Sequence, residues 1–421
     1  MLTKLGRPTY KSISSKSKFD WDFLNYNNTN RVKMKMKLFV AVCISVLCVL
    51  HSTAVEEKVD PIKPIDLVFC VDLSGSSNGI LDDIRERYWE IVNQANAYKP
   101  SPRLRVAVVG FSRPSFGAKN GYVKIIKGLT SDFDVLSHEL FKLQPYIEKG
   151  DQMVGMALRT CIRSLQWSDD PEALKTIFLI GNGRVDLGSY SYTDACELAV
   201  KEDIVINTLY CRSAREIPSE KSGWRNVARL TGGTSHEIFI HKRPPILVTT
   251  YDSTELYNLS SLLAATYVGY GKGGSERVKI MAMVDEKTRE ANLMSFESRM
   301  FHKISDGYQF QNSAWDVIDY YRSNDNIPDN ATASIEADAA VGFNGAMNDY
   351  ISKMREHRKT ILSRLRIHMP LDRQAQINRM LDERGLRRSD NFERVVINSL
   401  DQMAASRGFN TNFNGRFEFS R

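Results

Sequence analysis

Short apolar runs alternate with amphipathic stretches over residues 64–270. The sharpest run, residues 65–71, is nearly continuous, rich in β-branched side chains and too short for a buried helix. Such a run predicts a strand covered on both faces, as in a parallel sheet. Further strands are predicted at residues 104–111, 121–126 (expected at a sheet edge), 175–180, 204–211 and 235–240.

Between these runs, apolar residues recur at helical spacing, for example at Ile80, Ile84 and Tyr88. Helices are predicted at residues 80–96, 132–143, 193–201 and 254–267, another opens after residue 150, and residues 224–233 resemble a helix that ends at a glycine stop. We expect the helix at 254–267 to close the sheet domain. Strands alternating with helices predict an α/β fold, a doubly wound and mainly parallel six-stranded sheet flanked by helices.

Beyond a glycine cluster at residues 269–274, the pattern is helical alone, which predicts an α-helical C-terminal region. One long charged helix is predicted over residues 275–304. We expect the aromatic segment 308–319 to dock this region on the sheet domain, the alternative being a partner site. The remaining segments are a predicted linker at 324–332 and helical segments at 333–365 and 371–407, broken at Pro370 and Gly385.

The start of the chain has the pattern of an exported protein. Residues 34–54 join a basic start to an apolar run of 13 residues and a small-x-small end, which is typical of a secretory signal peptide. A membrane-spanning helix needs about 20 apolar residues, so an uncleaved anchor is only the alternative. Residues 1–33 are polar and irregular and indicate a disordered or misassigned extension. We expect a periplasmic, cell-surface or secreted protein.

Composition is ordinary for a globular protein, with 42% hydrophobic and 25% charged residues. The net charge of +7 is unevenly placed. Residues 1–54 hold 9 Lys and Arg against 2 Asp and Glu, and residues 351–421 hold 15 against 8, which leaves 33 basic and 40 acidic residues in between. The sheet domain is therefore not a basic nucleic-acid surface. The basic C-terminal end could meet an acidic partner or surface, although a solvated face is the simpler interpretation.

Two of the six cysteines lie in the signal segment, and the others are Cys70, Cys161, Cys196 and Cys211. Export would permit disulfides. Because Cys70 and Cys211 fall within apolar strand runs, free buried thiols are favoured instead. No spacing among cysteines and histidines indicates a zinc site.

Candidate chemistry follows the first strand directly. Asp72, Ser74 and Ser76 form an Asp-x-Ser-x-Ser loop at the carboxyl end of a central strand, where open α/β sheets bind ligands. Three hard oxygen donors suit Mg²⁺, with Ca²⁺ or Mn²⁺ not excluded. The alternative is that Asp72 and Ser74 only cap the next helix. Neither a His-Glu-x-x-His motif nor a phosphate loop occurs in the sequence, and we expect no catalysis.

This loop and its strand resemble the first strand and metal-ion-dependent adhesion loop of a von Willebrand factor type A domain. Residues 64–270 follow the element order of that domain. More narrowly, the chain resembles bacterial secreted proteins in which the domain precedes a helical tail. The resemblance implies a protein ligand bound at the top of the sheet, where its acidic side chain meets a bridging divalent ion.

Two positions depart from the family pattern. Gln152 stands where the family carries a threonine that binds the ion, and the neighbouring Asp151 could supply a carboxylate instead. Asn182 stands where the family usually has an aspartate. So few carboxylates weaken affinity for Mg²⁺ or Ca²⁺. A metal-free site, in which Gln152 and Asn182 hydrogen-bond to the loop, is therefore an open alternative.

The sequence thus predicts a non-enzymatic cell-envelope or secreted protein-binding module with a degenerate adhesion site. The alternative is a metal-free structural scaffold of an envelope assembly. The predicted divisions are an extension (1–33), signal peptide (34–54), linker (55–63), type A domain (64–270), helical extension (271–323), linker (324–332), helical tail (333–408) and disordered C-terminus (409–421).

Overall fold

The computed structural model describes residues 62–75, 78–144, 151–212, 217–239, 253–324, 326, 347–369 and 391–411. All of them belong to one of the two units of the chain, Pro61–Arg421. Several predictions lie outside the described residues: the extension at 1–33, the signal peptide at 34–54, the loop residue Ser76, almost all of the linker at 324–332, and the helix breaks at Pro370 and Gly385.

The described strands form one six-stranded sheet of order β3-β2-β1-β4-β5-β6. They are β1 (Pro64–Asp72), β2 (Arg103–Phe111), β3 (Lys124–Thr130), β4 (Leu174–Gly181), β5 (Ile204–Arg212) and β6 (Ser235–Phe239). β3 runs antiparallel to β2 at the edge, and the other neighbouring strands pair in parallel. The predicted fold class, a doubly wound and mainly parallel sheet, is confirmed.

Helices flank the sheet and make up the C-terminal region. They are α1 (Asn78–Asn96), α2 (Phe133–Lys142), α3 (Val154–Ser164), α4 (Tyr192–Lys201), α5 (Pro218–Leu230), α6 (Ser253–Ala264), α7 (Gly274–Ala291), α8 (Leu293–Lys303), α9 (Asp306–Asn312), α10 (Val317–Asn324), α11 (Met347–His368) and α12 (Phe392–Ser406). Within the described ranges, none of these helices combines the length and the apolar character needed to cross a membrane.

β1 is buried at every position, which explains its unbroken apolar run. Its side chains alternate between the two faces of the sheet. Phe69 points into a layer shared with α1, α2 and α12. Val68 and Cys70 belong to the opposite layer, which α3, α4 and α5 complete. The central strand is therefore sandwiched between two helical layers.

The helix that covers one face of the sheet was not the one expected. The prediction that residues 254–267 close the sheet domain is wrong, because Leu256 of α6 packs with Phe296 in a separate cluster of the C-terminal region. The face is covered instead by α12, which packs against α1 and β4. The ring of Phe392 lies 6.1 Å from that of Phe69. The sheet therefore depends on a helix far along the chain.

Ordered structure continues past α12. Phe409 is buried, with its ring 6.1 Å from that of Tyr98. The backbone N–H of Asn410 donates to the carbonyl of Lys99 at 2.7 Å. These two residues were predicted to be disordered, and for them that prediction is wrong. Residues 412–421 lie outside the described part of the chain.

The predicted single helix over residues 275–304 is also wrong. Asn292 separates α7 from α8, because its backbone is extended and its side chain accepts a hydrogen bond from the Ser295 N–H at 2.9 Å. Every residue of α8 from Ser295 to Lys303 is buried, although the segment includes four ionisable side chains. Sequence pattern alone would place such a helix at the surface.

Ion pairs make the burial of α8 tolerable. The Arg299 guanidinium lies 2.6 Å from Asp134 Oδ1 and 3.0 Å from Asp285 Oδ1, and Lys303 Nζ lies 2.5 Å from Asp285 Oδ2. Buried charges are stable only when they are paired and hydrogen-bonded. Since Asp134 belongs to α2 and Asp285 to α7, this network joins the sheet domain to the C-terminal helices.

The aromatic segment 308–319 takes part in the same contact. The Tyr308 hydroxyl donates to Asp134 Oδ2 at 2.8 Å, which confirms the expected docking at this residue. Trp315 instead stacks on Tyr267 inside the C-terminal region, with ring centroids 5.9 Å apart. The segment therefore serves both the docking and the internal core of this region.

The four described cysteines are free and buried, as predicted. Burial raises the pKa of Cys196 to about 12. Burial also raises the pKa values of Cys70 and Cys211, and nearby Asp72 adds to both shifts. These thiols therefore stay protonated near neutral pH.

We expect Arg299→Met to lower the free energy of unfolding by about 3–5 kcal/mol, because it leaves the buried carboxylate of Asp134 without its paired cation and Asp285 with Lys303 alone. Arg289→Met is the matched control, since Arg289 pairs with Glu286 at the surface of α7, where such pairs contribute little. Urea unfolding of both variants provides the measurement. Equal losses in the two variants would contradict the role given to the buried network.

Acidic residues crowd the junction of α1 with α12. Burial raises the pKa of Asp83 to about 7, and Glu393 of α12 adds to the shift while Arg87 opposes it. Arg87 lies 3.9 Å from Glu393 and 3.8 Å from Glu90. The folded chain thus holds a proton on Asp83 that the unfolded chain loses near the ordinary pKa of 3.8.

Stability should therefore fall as the pH rises from about 4 to 7, because the folded state binds more protons than the unfolded state in that range. Asp83→Asn removes the deprotonation. We expect it to raise the Tm by about 2–4 °C at pH 8 and to change it little at pH 4. Thermal melts at both pH values give the measurement, with Glu197→Gln on the exposed face of α4 as control. A pH-independent effect of Asp83→Asn would refute this linkage.

Candidate functional site

The candidate site lies at the carboxyl edge of the sheet, where β1 ends. Asp72 is the last residue of β1, pairs in register with Phe111 of β2, and is fully buried. Ser74, two residues further on, is only 4% exposed. The carboxylate and the hydroxyl therefore occupy the edge at which doubly wound sheets bind ligands.

Hydrogen bonds hold the loop after β1 in a tight turn. The Ser74 N–H donates to Asp72 Oδ1 at 2.9 Å, and the Leu73 N–H donates to the carbonyl of Phe111 at 3.0 Å. The first bond is an Asx-type turn, in which a carboxylate accepts from the backbone two residues on. One oxygen of Asp72 therefore already shapes the loop.

Glycines at the end of β4 and just beyond it bring Asn182 and Gln152 to the same edge. A β-carbon at Gly181 would collide with the side chain of Asp72. Gly183 has a left-handed φ of +82°, and a β-carbon there would collide with the Gln152 amide. Asn182, between these glycines, is 7% exposed. Only glycine permits so close an approach of backbone and side chain.

Four of the six predicted ion ligands lie at this edge in the described structure. Asp72, Ser74, Gln152 and Asn182 are the members of the set for which the structure gives a place there. Asp151 is exposed, and its carbonyl accepts from the Met153 N–H at 3.0 Å. Ser76 lies outside the described residues. Ion binding by any of the six remains a prediction.

The donors at this edge fit a hard cation. They are one carboxylate, one hydroxyl and two amides, all offering oxygen, which is the ligand atom that Mg²⁺ and Ca²⁺ prefer. Among the described residues, no three His, Cys, Asp or Glu side chains cluster as a metal site. The fit is to a weakly held ion.

Sequence analysis missed a buried arginine next to the loop. Arg113 follows β2, is 7% exposed, and donates from Nε to the carbonyl of Leu73 at 3.0 Å. The residue before it, Ser112, is buried with a left-handed φ of +69°. Neither periodicity nor a known motif marks these positions, because the contact is made between segments 40 residues apart.

Comparisons with known proteins find similar solved structures but no match by sequence. No protein-family profile and no curated protein matches the chain. Solved structures that match include proximal thread matrix protein 1 from the mussel byssus (20% identity, TM-score 0.32), the conserved hypothetical protein BatB from Bacteroides thetaiotaomicron (14%, 0.32) and a von Willebrand factor type A protein from Catenulispora acidiphila (15%, 0.32).

Each match covers 42% of this chain. It spans 42% of the mussel protein, 90% of BatB and 39% of the Catenulispora protein. The chain thus spans less than half of the mussel protein's own length. A further structure of that protein is described as having a zinc-occupied MIDAS motif. The fold class of the chain follows from its own strand order.

We expect Gly183→Ala to lower the free energy of unfolding by about 1–3 kcal/mol, because alanine is strained at a positive φ and displaces Gln152. Gly128→Ala on the edge strand β3 is the control, since no atom lies within 4 Å of its added β-carbon. The control should be neutral or slightly stabilising. Urea unfolding measures both, and equal effects would contradict the packing of Gln152 on Gly183.

Proposed function

We propose that this chain is a non-enzymatic protein-binding module whose ligand docks at the carboxyl edge of β1 and β4. The observation that carries the proposal is the buried carboxylate of Asp72 beside Ser74, at the strand end that Gly181 approaches closely. Asn182 and Gln152 add neutral oxygen donors. A divalent ion, Mg²⁺ first and Ca²⁺ or Mn²⁺ as alternatives, would be held here.

The low charge of this donor set indicates which side chain the partner would offer. Among the described residues of the predicted set, Asp72 is a buried carboxylate at the end of β1, and exposed Asp151 is a weaker candidate. A divalent ion held by one carboxylate keeps a net positive charge. An Asp or Glu side chain of a protein ligand would neutralise it and complete the shell. Affinity for the ion alone would then be weak, and the ion and the partner would bind together.

Absence of catalysis is part of the same proposal. The Asp72 carboxylate is buried, and its Oδ1 accepts a hydrogen bond from the Ser74 backbone N–H at 2.9 Å. A carboxylate fixed in this way is suited to holding a cation rather than to exchanging protons with a substrate. Hydrolytic activity that is abolished by Ser74→Ala would overturn this part.

We further propose that the module is exported and that its C-terminal helices fix it in a cell-envelope assembly. The signal-peptide pattern at residues 34–54 supports export. Docking of α8 on α2 through Arg299 and Asp134 supports a rigid attachment of these helices to the sheet domain. The partner class is a protein, since residues 64–270 hold 23 Lys and Arg against 24 Asp and Glu and so lack the basic excess of a nucleic-acid surface.

A metal-free structural scaffold is the second candidate. Its support is that protein groups already shape the loop: Asp72 accepts from the Ser74 N–H, and Gln152 packs on Gly183. In this alternative the edge needs no ion, and the acidic partner is absent. Divalent-ion dependence distinguishes the two functions.

We expect Mg²⁺ to raise the Tm of the full chain above its value in EDTA, and Asp72→Ala to abolish this increase. Asn182→Asp adds a carboxylate and should lower the ion concentration at half effect roughly tenfold. Asp194→Ala on the exposed face of α4 is the control and should respond like the wild type. The same Tm in Mg²⁺ and EDTA for wild type and Asn182→Asp would leave only the scaffold.

A pull-down from envelope extract, with Mg²⁺ or EDTA and with Asp72→Ala as a matched bait, then tests the partner. Capture of the same protein by all baits in both buffers would place the partner surface away from this edge.

A further inference from the structure

Arg113 lies directly behind the Asp72 loop. Its Nε donates to the carbonyl of Leu73 at 3.0 Å, and its Nη2 donates to the carbonyl of Gln144 at 2.6 Å. Leu73 stands between Asp72 and Ser74 in the candidate loop. Gln144 follows the end of α2, and the chain runs on from there to the other candidate donors. One buried side chain thus holds both segments.

The backbone in front of Arg113 is unusual in a way that serves this contact. Ser112 is fully buried and adopts a left-handed φ of +69°. Residues other than glycine rarely adopt this backbone conformation, which persists only where the surrounding structure enforces it. The turn at Ser112 ends β2 and is followed at once by the residue that reaches Leu73.

A second arginine shows what is special about the first. Arg85 of α1 donates from Nε to the carbonyl of Leu140 at 2.9 Å and from Nη2 to that of Leu143. Arg85 therefore holds the carboxyl end of α2 and Arg113 holds Gln144 just beyond it, near the helix end where the helix dipole favours a cation. Of these two arginines, Arg113 is the one whose contact extends to the candidate loop.

We propose that Arg113 is a positioning residue that fixes the Asp72–Ser74 turn and couples it to the end of α2. Its planar fork holds two carbonyls at once, which a lysine ammonium cannot do with the same fixed geometry. The turn is thereby set by protein groups before any ligand arrives. The relevance to binding rests on the proposed function, whereas the positioning itself can be measured without an ion or a partner.

The test is amide-resolved hydrogen exchange of the full chain in EDTA, with thermal melts of each variant. The variants are Arg113→Lys, Arg113→Met and Arg85→Met. We expect both Arg113 variants to speed exchange of the Ser74 N–H by about tenfold or more, because the turn opens locally. Arg85→Met weakens the same helix end and should lower the Tm, but it should leave Ser74 exchange within about twofold of the wild type.

Two outcomes would overturn the proposal: wild-type Ser74 exchange in Arg113→Lys, which would mean that charge alone suffices, or equal acceleration by Arg85→Met and Arg113→Met. Should Arg113→Met fail to melt cooperatively, Arg113→Lys against Arg85→Met decides. A Mg²⁺ titration of the same variants separates this proposal from the proposed function. If Mg²⁺ fails to raise the Tm of the wild type, ion binding is refuted. The exchange rate of the Ser74 N–H still decides the role of Arg113 in that case.

Discussion

The burial of β1 on both faces is the constraint from which the rest of the architecture follows. A strand without a solvated face needs a helical layer on each side, since its apolar side chains alternate between them. One layer comes from α3, α4 and α5, which follow the strands in chain order. The other layer requires α12, because Phe392 and Leu400 belong to the same cluster as Phe69. A helix near the end of the described chain therefore completes the cover of the sheet.

Helices α6 to α11 therefore form an insertion in the chain between the last strand, β6, and α12, the helix that completes the core. An insertion of this size needs a hydrophobic core of its own. Helix α8 lies in that core, with Arg299 and Lys303 fully buried. Aspartates from α2 and α7 balance these charges. Such pairs contribute little net stability over apolar packing, but breaking one is costly. Loss of either partner of such a pair would therefore weaken the docking of α8 on α2.

At the carboxyl edge of the sheet, a buried charge is again held by hydrogen bonds to protein groups. Asp72 is buried beside two strands, and its loop is held by a backbone amide, by Leu73 pairing with β2 and by the guanidinium of Arg113. Protein groups thus impose the shape that a strongly bound ion would otherwise impose.

The sequence by itself determined the strands, their alternation with helices and the place of Asp72 and Ser74 at a strand end. Apolar runs and helical spacing report local burial, and a doubly wound sheet exposes its strand ends at one edge. Only the tertiary structure decided that α12 covers the sheet, that α8 lies inside, and that Arg113 holds the loop. Each of these depends on partners distant in the chain: Phe69 for Phe392, Asp134 for Arg299 and Leu73 for Arg113. A local pattern cannot indicate such pairs, because a charged side chain looks the same in sequence whether it meets water or a buried counter-charge.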